Sequence, residues 1–498
     1  MKKSIEEINQ KISEGCARVV TAEEMPNIVK ELGLEDATKE IDVVTTGTFG
    51  AMCSSGAFLN FGHSDPPIKM QRIFLNDVEA FAGIAAVDAY IGATQQARGP
   101  KLEYGGGHVI EDLVGGKEIE LKAESYGTDC YPLKSLETEI TIDDLNQATM
   151  INPRNGYQKY NAATNSSDRI YYTYMGPLFP NFENISYSGS GILSPLSNDP
   201  EYRTIGIGTR IFLGGAKGYV IGEGTQHDPE NGFGTLMVRG DLKEMNTNFI
   251  RGAKIYKYGI SLYVGLGIPI PILDENMAKA TAIEDKDIVT NLVDYGIQRR
   301  DRPKLRKISY EELKSGCVDL DGKEVKTFPM SSYFKAKEVA EKLKEDIIQG
   351  SFKLSLPVEP LPRYGEVKPM YQKKVNPMVK DLMSKKVVFV REDIQIEEAA
   401  KVLIKNGIDH LPVVSESGRL VGIITSWDIA KSVAKGSSHK KVSDIMSKNV
   451  VCIGPDDLVD VAARRLEQYN ISAMPVVNPN KEIVGMISSS DLSKLVRS

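Results

Sequence analysis

Two stretches near the C-terminus are copies of one another, displaced by 63 residues without a gap. Val379-Lys-Asp-Leu-Met-Ser384 returns as Val442-Ser-Asp-Ile-Met-Ser447, and Val387–Val390 returns as Val450–Ile453. Pro412-Val-Val414 returns as Pro475-Val-Val477, and Gly422-Ile-Ile-Thr-Ser-Trp-Asp428 as Gly485-Met-Ile-Ser-Ser-Ser-Asp491. Anchors in common register are the mark of an internal repeat, so the chain ends in two copies of one unit. Each copy reads as strand, helix, strand, strand, helix. Ile396, Ala399, Ala400 and Leu403 form an amphipathic stripe, matched by Val459, Ala462, Ala463 and Leu466. The β-rich runs Leu411–Val414 and Leu420–Thr425 flank a turn at Ser415–Gly418. A last helix follows from Ser426 in the first copy and from Ser488 or Ser489 in the second, each a suitable N-cap.

The repeat resembles the CBS family over roughly residues 376 to 498, most specifically in the twice-present Gly-h-h-(Thr/Ser)-x-x-Asp. A hydroxyl at a helix N-terminus donates to phosphate or another polar group, and an aspartate one turn later accepts ribose hydroxyls. The resemblance implies that Thr425, Asp428, Ser488 and Asp491 face adenosyl ligands in two clefts. It also implies that the paired repeats form a disc that dimerises, giving a homodimer. The plainer reading makes the hydroxyls N-caps and the aspartates partners of the helix dipole.

With 498 residues, two or three domains are expected. The 41% hydrophobic and 26% charged content is that of a soluble globular protein, and a net charge of -6 leaves no footprint for nucleic acid. The N-terminal residues have no apolar signal-peptide core. The longest apolar stretch, Ile260–Leu273, is broken by Pro269 and Pro271 and is too short to span a bilayer, so a cytoplasmic location is expected. The fold class read from the sequence is α/β: a large mixed α/β domain of unassigned topology over 1–355, then a proline-rich linker over 356–377, then repeats at 378–436 and 441–498. Within the large domain, Phe74–Thr94 reads as a packed helix, Ile205–Val220 as a strand and tight turn, and Ser331–Gln349 as a helix. Glycine clusters there fit either close approach to a ligand or ordinary turns. Gly206-Ile-Gly208 lacks the third glycine of a dinucleotide fingerprint.

Cys16, Cys53, Cys130, Cys317 and Cys452 are widely spaced, with no CxxC and no ferredoxin-type cluster. Neither a disulfide framework nor a metal site is expected. Cys53 lies in Thr45-Thr-Gly-Thr-Phe-Gly-Ala-Met-Cys-Ser-Ser-Gly56, where small residues suit an anion nest that would lower a thiol pKa. Gly62-His-Ser-Asp65 offers His63 and Asp65 as proton-transfer partners for it. Cys130 lies in the turn-like Tyr126-Gly-Thr-Asp-Cys-Tyr-Pro132, and Gly105-Gly-Gly-His108 offers a second imidazole, His108, near it. Each thiol or imidazole, taken singly, is equally a structural residue. Cys452, in a strand position matching Phe389, reads as core.

The whole pattern is more specific. Gly47 to Pro67, Tyr104-Gly-Gly-Gly-His108, Tyr126–Pro132 and Gly208-Thr-Arg-Ile-Phe-Leu-Gly-Gly-Ala216 together resemble the homocysteine biosynthesis family of archaea and anaerobic bacteria. The similarity runs through nearly all of residues 1 to 360, and a C-terminal CBS pair matches the methanogen members. The resemblance implies a sulfurtransferase that makes L-homocysteine from L-aspartate semialdehyde and sulfide or a sulfane-sulfur donor. A ferredoxin-like iron–sulfur protein would supply two electrons. It places the persulfide-forming cysteine at Cys130 and a second thiol at Cys53, with no tightly bound cofactor in the large domain. It also points the CBS pair toward S-adenosylmethionine or methylthioadenosine, with AMP as a further adenosyl ligand. A persulfide is a stronger nucleophile than a thiol and adds to an aldehyde carbon. The α-carboxylate would suit a bidentate arginine; Arg154, Arg203, Arg210 and Arg239 have suitable surroundings, with Arg210 favoured. The alternative is a non-enzymatic adenosyl-ligand sensor that binds a metabolite and tolerates serine at both cysteines. An IMP dehydrogenase type is excluded, because its CBS pair interrupts the barrel and its Gly-Ser-x-Cys-x-Thr loop is missing here.

Overall fold

The computed structural model describes residues 2–99, 103–365, 367–370, 377–436 and 440–493. They divide into two compact units. The first holds 2–165, 169–294 and 304–369; the second is chiefly the C-terminal repeats from 370 onward.

The first unit is mixed α/β, built on a nine-stranded sheet. In chain order its strands are β1 (Thr48–Ala51), β2 (Gly56–Asn60), β3 (Asp88–Gly92), β4 (Gln147–Asn155), β5 (Arg210–Leu213), β6 (Ala216–Glu223), β7 (Leu236–Asp241), β8 (Ile250–Ile255) and β9 (Gly259–Gly267). They lie in the order β8-β9-β5-β6-β7-β4-β2-β3, and β1 also pairs with β9. β6 alternates buried and exposed along its length, the two-residue period of a strand with one wet face. β9 is buried almost throughout. Helix α1 (Gly106–Val114) packs on β8 and β9, while helix α2 (Tyr333–Ile348) packs on β1 and β9. Cover of this kind explains why Ile260–Leu273 reads as a continuous apolar run. α2 is the helix expected at Ser331–Gln349. Ser332 caps it, and Ala336, Val339, Ala340, Leu343 and Ile347 are its buried stripe.

The expected helix at Phe74–Thr94 is absent. Strands Arg72–Leu75 and Val78–Ala80 pair as a hairpin, and β3 follows. The hairpin turns at Asn76 and Asp77, both with positive φ (47° and 60°). Asn and Asp tolerate that region, so two-residue turn chemistry overrode an alanine spacing that looked helical. Ile205–Val220 is a strand and turn as expected: β5 and β6 join at Gly214 and Gly215, φ 61° and 96°. The prolines keep the segment after 354 out of regular structure, apart from Glu359–Pro360, which pairs with Gly206–Ile207. His227 Nε2 donates to the Pro362 carbonyl (2.9 Å), which can only accept, and holds this segment down, while its Nδ1 lies against the Thr235 backbone. The rest of the expected linker, at 366 and 371–376, lies outside the described residues.

In the second unit each repeat supplies a helix (Ile396–Asn406, Val459–Gln468) and a two-stranded hairpin (His410–Val414 with Leu420–Thr425, Ala473–Val477 with Ile483–Ser488). The copies interlock through the very motifs that identify them. Met383 packs on Gly485 and Met446 on Gly422, where an added Cβ would lie 2.4 Å from the methionine sulfur in each case. Only glycine admits the other copy's side chain at that distance. Gly485→Ala is expected to destabilise the protein by about 1–3 kcal/mol through overpacking, read from thermal or urea unfolding.

Candidate functional site

Cys53 sits on the turn between β1 and β2, and neighbouring strands build its surroundings. Its thiol lies 3.1 Å from the Ser261 hydroxyl on β9. Ser54 shares its hydroxyl proton between Asn152 Oδ1 (3.0 Å) and the Arg154 carbonyl (3.2 Å), and Asn152 Nδ2 donates to Ser55 Oγ (2.9 Å). These residues meet because β4 pairs with β2 only as far as Gly56 and then runs on past it, with a register break against β7 between Asn152 and Asn155. Burial pushes the Cys53 thiol above its ordinary value, opposite to the direction expected of an anion nest; the Ser261 bond only partly offsets it. Burial also raises Tyr157, Tyr258 and Tyr263, Tyr157 to about 12, and the adjacent Cys53 adds to each shift.

Beside this turn opens a cleft of about 460 Å³, counting its mouth. Met52, Asn155 and Tyr157 form one part of its lining, and Ser188, Ser194 and Ser197 another. None of the described residues that line it is charged. The sequence held one unused signal for it: Asn152-Pro-Arg-Asn-Gly156 interrupts an alternating strand with turn residues.

Cys130 occupies a different place. Thr128 and Tyr131 exchange backbone hydrogen bonds (2.9 and 3.1 Å) and so close a tight turn that leaves Cys130 exposed. The His63 ring stacks on Tyr131 with centroids 5.9 Å apart. His63 therefore belongs with the Cys130 turn, whereas the sequence suggested Cys53 as its partner. The Cys53 turn leads into the first residue of β2, and the Cys130 turn packs beside the segment that leaves its last. Iodoacetamide is expected to label exposed Cys130 well before Cys53, as mapped by mass spectrometry of timed aliquots; equal rates would contradict the burial of Cys53.

His108 also departs from the expected neighbourhood. It lies in the first turn of α1, stacked on Tyr104 with centroids 5.2 Å apart, and its Nδ1 is buried without a partner. Burial lowers its pKa. The three glycines before it let the helix start dock on backbone: a Cβ at Gly106 would lie 1.9 Å from the Gly92 carbonyl, and one at Gly107 2.4 Å from that of Ser261. α1 thereby buttresses the residue that holds Cys53. Arg210 does not face the cleft residues: its guanidinium donates to the Lys353 carbonyl (2.8 Å) and its amide to Ser355 Oγ (2.7 Å), at the exit toward the proline-rich segment. Arg154 is the arginine tied to the Cys53 turn, its side chain held by Thr225 and Gln226 at 3.0 and 3.1 Å. Cys452 is half-buried on a non-strand segment, and burial pushes its thiol up to about 11. Among the described residues, no group of three His, Cys, Asp or Glu is placed to hold a metal ion, and no helix is long and apolar enough to cross a membrane.

In the repeats, Thr425 caps the helix Ser426–Ala434. The first cap is thus Thr425, one residue before the expected Ser426. Asp428 Oδ2 accepts from the Thr425 amide (2.9 Å) and hydroxyl (2.7 Å). Asp491 Oδ2 repeats this with Ser488, at 3.0 and 2.7 Å. The motif is a reciprocal cap in both copies, which holds hydroxyl and carboxylate together at a helix start.

The family model for homocysteine biosynthesis enzyme, sulfur-incorporation, matches residues 17–354, and the CBS domain model matches 379–435 and 442–498. The L-aspartate semialdehyde sulfurtransferase of Methanosarcina acetivorans is 54% identical over 496 residues, covering 100% of this chain and 99% of that protein. The protein of the same name from Methanocaldococcus jannaschii is 56% identical over 508 residues, covering 99% and 98%. A crystal structure of a CBS domain pair with 5′-methylthioadenosine and S-adenosyl-L-methionine is 47% identical, covers 24% of this chain and 99% of that one, and superposes with a TM-score of 0.23. The chain accordingly belongs to the homocysteine biosynthesis, sulfur-incorporation family of enzymes and carries a tandem pair of CBS domains.

Proposed function

We propose that this protein makes L-homocysteine from L-aspartate semialdehyde, using sulfur carried as a persulfide on Cys130. The observation that carries the reading is the exposed Cys130 thiol on a hydrogen-bonded turn beside His63, reachable by a sulfur donor and by a protein reductant. Full-length relatives named for this activity support the substrate. The terminal persulfide sulfur adds to the aldehyde carbon, and the carbonyl oxygen takes a proton. Two electrons then cleave the S–S bond, water leaves, and two more electrons reduce the resulting thioaldehyde to the thiol. When sulfur enters as sulfide, the Cys130 thiol and hydrogen sulfide form the persulfide by giving up two protons and two electrons, the electrons passing to the oxidised form of the iron–sulfur protein. The net reaction is then one aldehyde, one hydrogen sulfide, two electrons and two protons giving one thiol and one water. The electrons come from a ferredoxin-like iron–sulfur protein, and Cys53 is the second thiol, on the turn beside the uncharged cleft to which the Cys130 turn delivers its sulfur. Incubation with a sulfane donor and then cyanolysis is expected to release about one labile sulfur per chain; none released would refute the carrier role.

The CBS pair is the regulatory part of the same proposal. Thr425 with Asp428, and Ser488 with Asp491, present a hydroxyl and a carboxylate at two helix starts, the groups an adenosyl ligand's ribose and polar tail require. In this reading the pair binds S-adenosylmethionine or a related adenosyl ligand and the protein is a homodimer through this module. Titration calorimetry should show S-adenosylmethionine binding in preference to AMP, lost in the double variant Asp428→Ala/Asp491→Ala. Undiminished binding in that variant would contradict the assignment.

A further inference from the structure

We propose that the cleft beside Cys53 binds the amino-acid end of the four-carbon substrate, with Asn155 Nδ2 donating to its α-carboxylate. The inference rests on the sulfurtransferase reading and assigns the place where the substrate sits. Asn155 lines the cleft and is completely buried. Its Oδ1 accepts from the Gly156 amide at 2.7 Å, while its Nδ2 has no hydrogen-bond partner. A buried amide donor left unpaired costs free energy, and folded proteins retain few of them. This one belongs to a residue that lines the cleft.

Two more buried polar atoms without partners lie on the segment that forms another wall. Ser190 Oγ follows Gly189 of the lining, and Asn198 Oδ1 follows Ser197. Asn198 spends its amide nitrogen on the Ile192 and Ser194 carbonyls, at 2.8 and 2.9 Å, leaving only its acceptor unused. One donor on the lining, and one hydroxyl and one acceptor each one residue from it, thus accompany a cleft without a charged lining residue. An α-amino acid zwitterion matches that inventory: its carboxylate accepts, its ammonium donates, and its net charge is zero. A phosphorylated or dicarboxylic metabolite would bring uncompensated negative charge into the same space. Cys53 follows Met52 of the lining, so a substrate held here lies beside the Cys53 turn. The assignment also explains why no arginine is needed.

The test uses the full-length protein and titration calorimetry with L-aspartate semialdehyde, alongside cyanolysis of the persulfide. Asn155→Asp keeps the oxygen that serves Gly156 and replaces the donor with an acceptor. It is expected to weaken semialdehyde binding at least about tenfold, the effect of losing a hydrogen bond to a charged group, while persulfide loading stays unchanged. Equal affinity in wild type and Asn155→Asp would overturn the cleft assignment and leave the sulfurtransferase reading intact. No semialdehyde binding by the wild type would sink that reading and this one together. Should the variant fail to fold, the wild type still decides. L-Homoserine, the corresponding alcohol with no electrophilic carbonyl, is expected to slow alkylation of Cys53 severalfold and leave exposed Cys16 unaffected. Equal Cys53 labelling with and without it would overturn the assignment.

Discussion

Cys130→Ser is expected to abolish homocysteine formation, lowering the rate by at least about a thousandfold, as removal of a covalent carrier does. Serine keeps the size of the side chain and its turn but cannot hold a sulfane sulfur, so the labile sulfur released by cyanide should vanish with the activity. The position makes a trivial loss of fold implausible: the residue is exposed, and its turn is closed by the backbone of Thr128 and Tyr131. Cys53→Ser should separate the two steps. Cys53 and Cys130 flank opposite ends of β2, so persulfide loading at Cys130 should survive the loss of Cys53 while product formation falls. The measurement is a paired one, sulfane sulfur and homocysteine for each variant, with the iron–sulfur reductant present. Full activity in Cys130→Ser would eliminate the persulfide route.

The second large effect concerns stability. Asp42→Asn should cost about 3–5 kcal/mol, the usual consequence of removing one member of a buried ion pair. Asp42 is 2% exposed at its side chain, and one oxygen receives both Lys3 (3.0 Å) and Lys11 (2.7 Å). The other accepts the Arg18 amide at 3.0 Å. Lys3 is itself buried and also donates to the Ile41 carbonyl (2.7 Å), so its charge would be stranded. Burial pushes both partners toward neutrality, and they respond differently. For Asp42, two ammonium groups and an amide outweigh burial, and its pKa lies below the ordinary 3.8. Lys3 has one carboxylate, shared with Lys11, and is left below its own ordinary value. Asp42 governs the pH dependence, because its oxygens receive both ammonium groups and the Arg18 amide. A lowered carboxylate contributes stability that is fully present above its unfolded pKa and is lost as pH falls below 3.8 through the folded value. Urea unfolding at neutral pH should show the full deficit of Asp42→Asn, and the gap to wild type should narrow in acid. A deficit that persists undiminished in acid would assign the loss to packing.

Much of this was legible beforehand where local pattern and local geometry agree. The repeat, its helices, its hairpins and the α2 stripe are short-range features, and each has one periodicity that burial then exploits. The Asn76–Asp77 hairpin shows the limit. Alanines at near-helical spacing satisfied one period, but two residues that tolerate positive φ turned the chain back, and the neighbouring strand covered the rest. The thiols show it again. Cys53 and His63 are ten residues apart and looked like partners. A strand lies between them, and a strand separates its ends.

From the residues alone came the identity of the two cysteine turns, the hydroxyl–carboxylate caps and the order of the domains, because each is carried by contiguous side chains. Tertiary structure alone decided which residues stand together. Pairing of β4 with β2 and the register break beyond it bring Asn152, Arg154 and Asn155 to Cys53 from a hundred residues away, and turn Arg210 toward the exit of the domain instead. Hydrogen-bond register between distant strands is set by the closing of the whole sheet, and no local stretch of sequence encodes it.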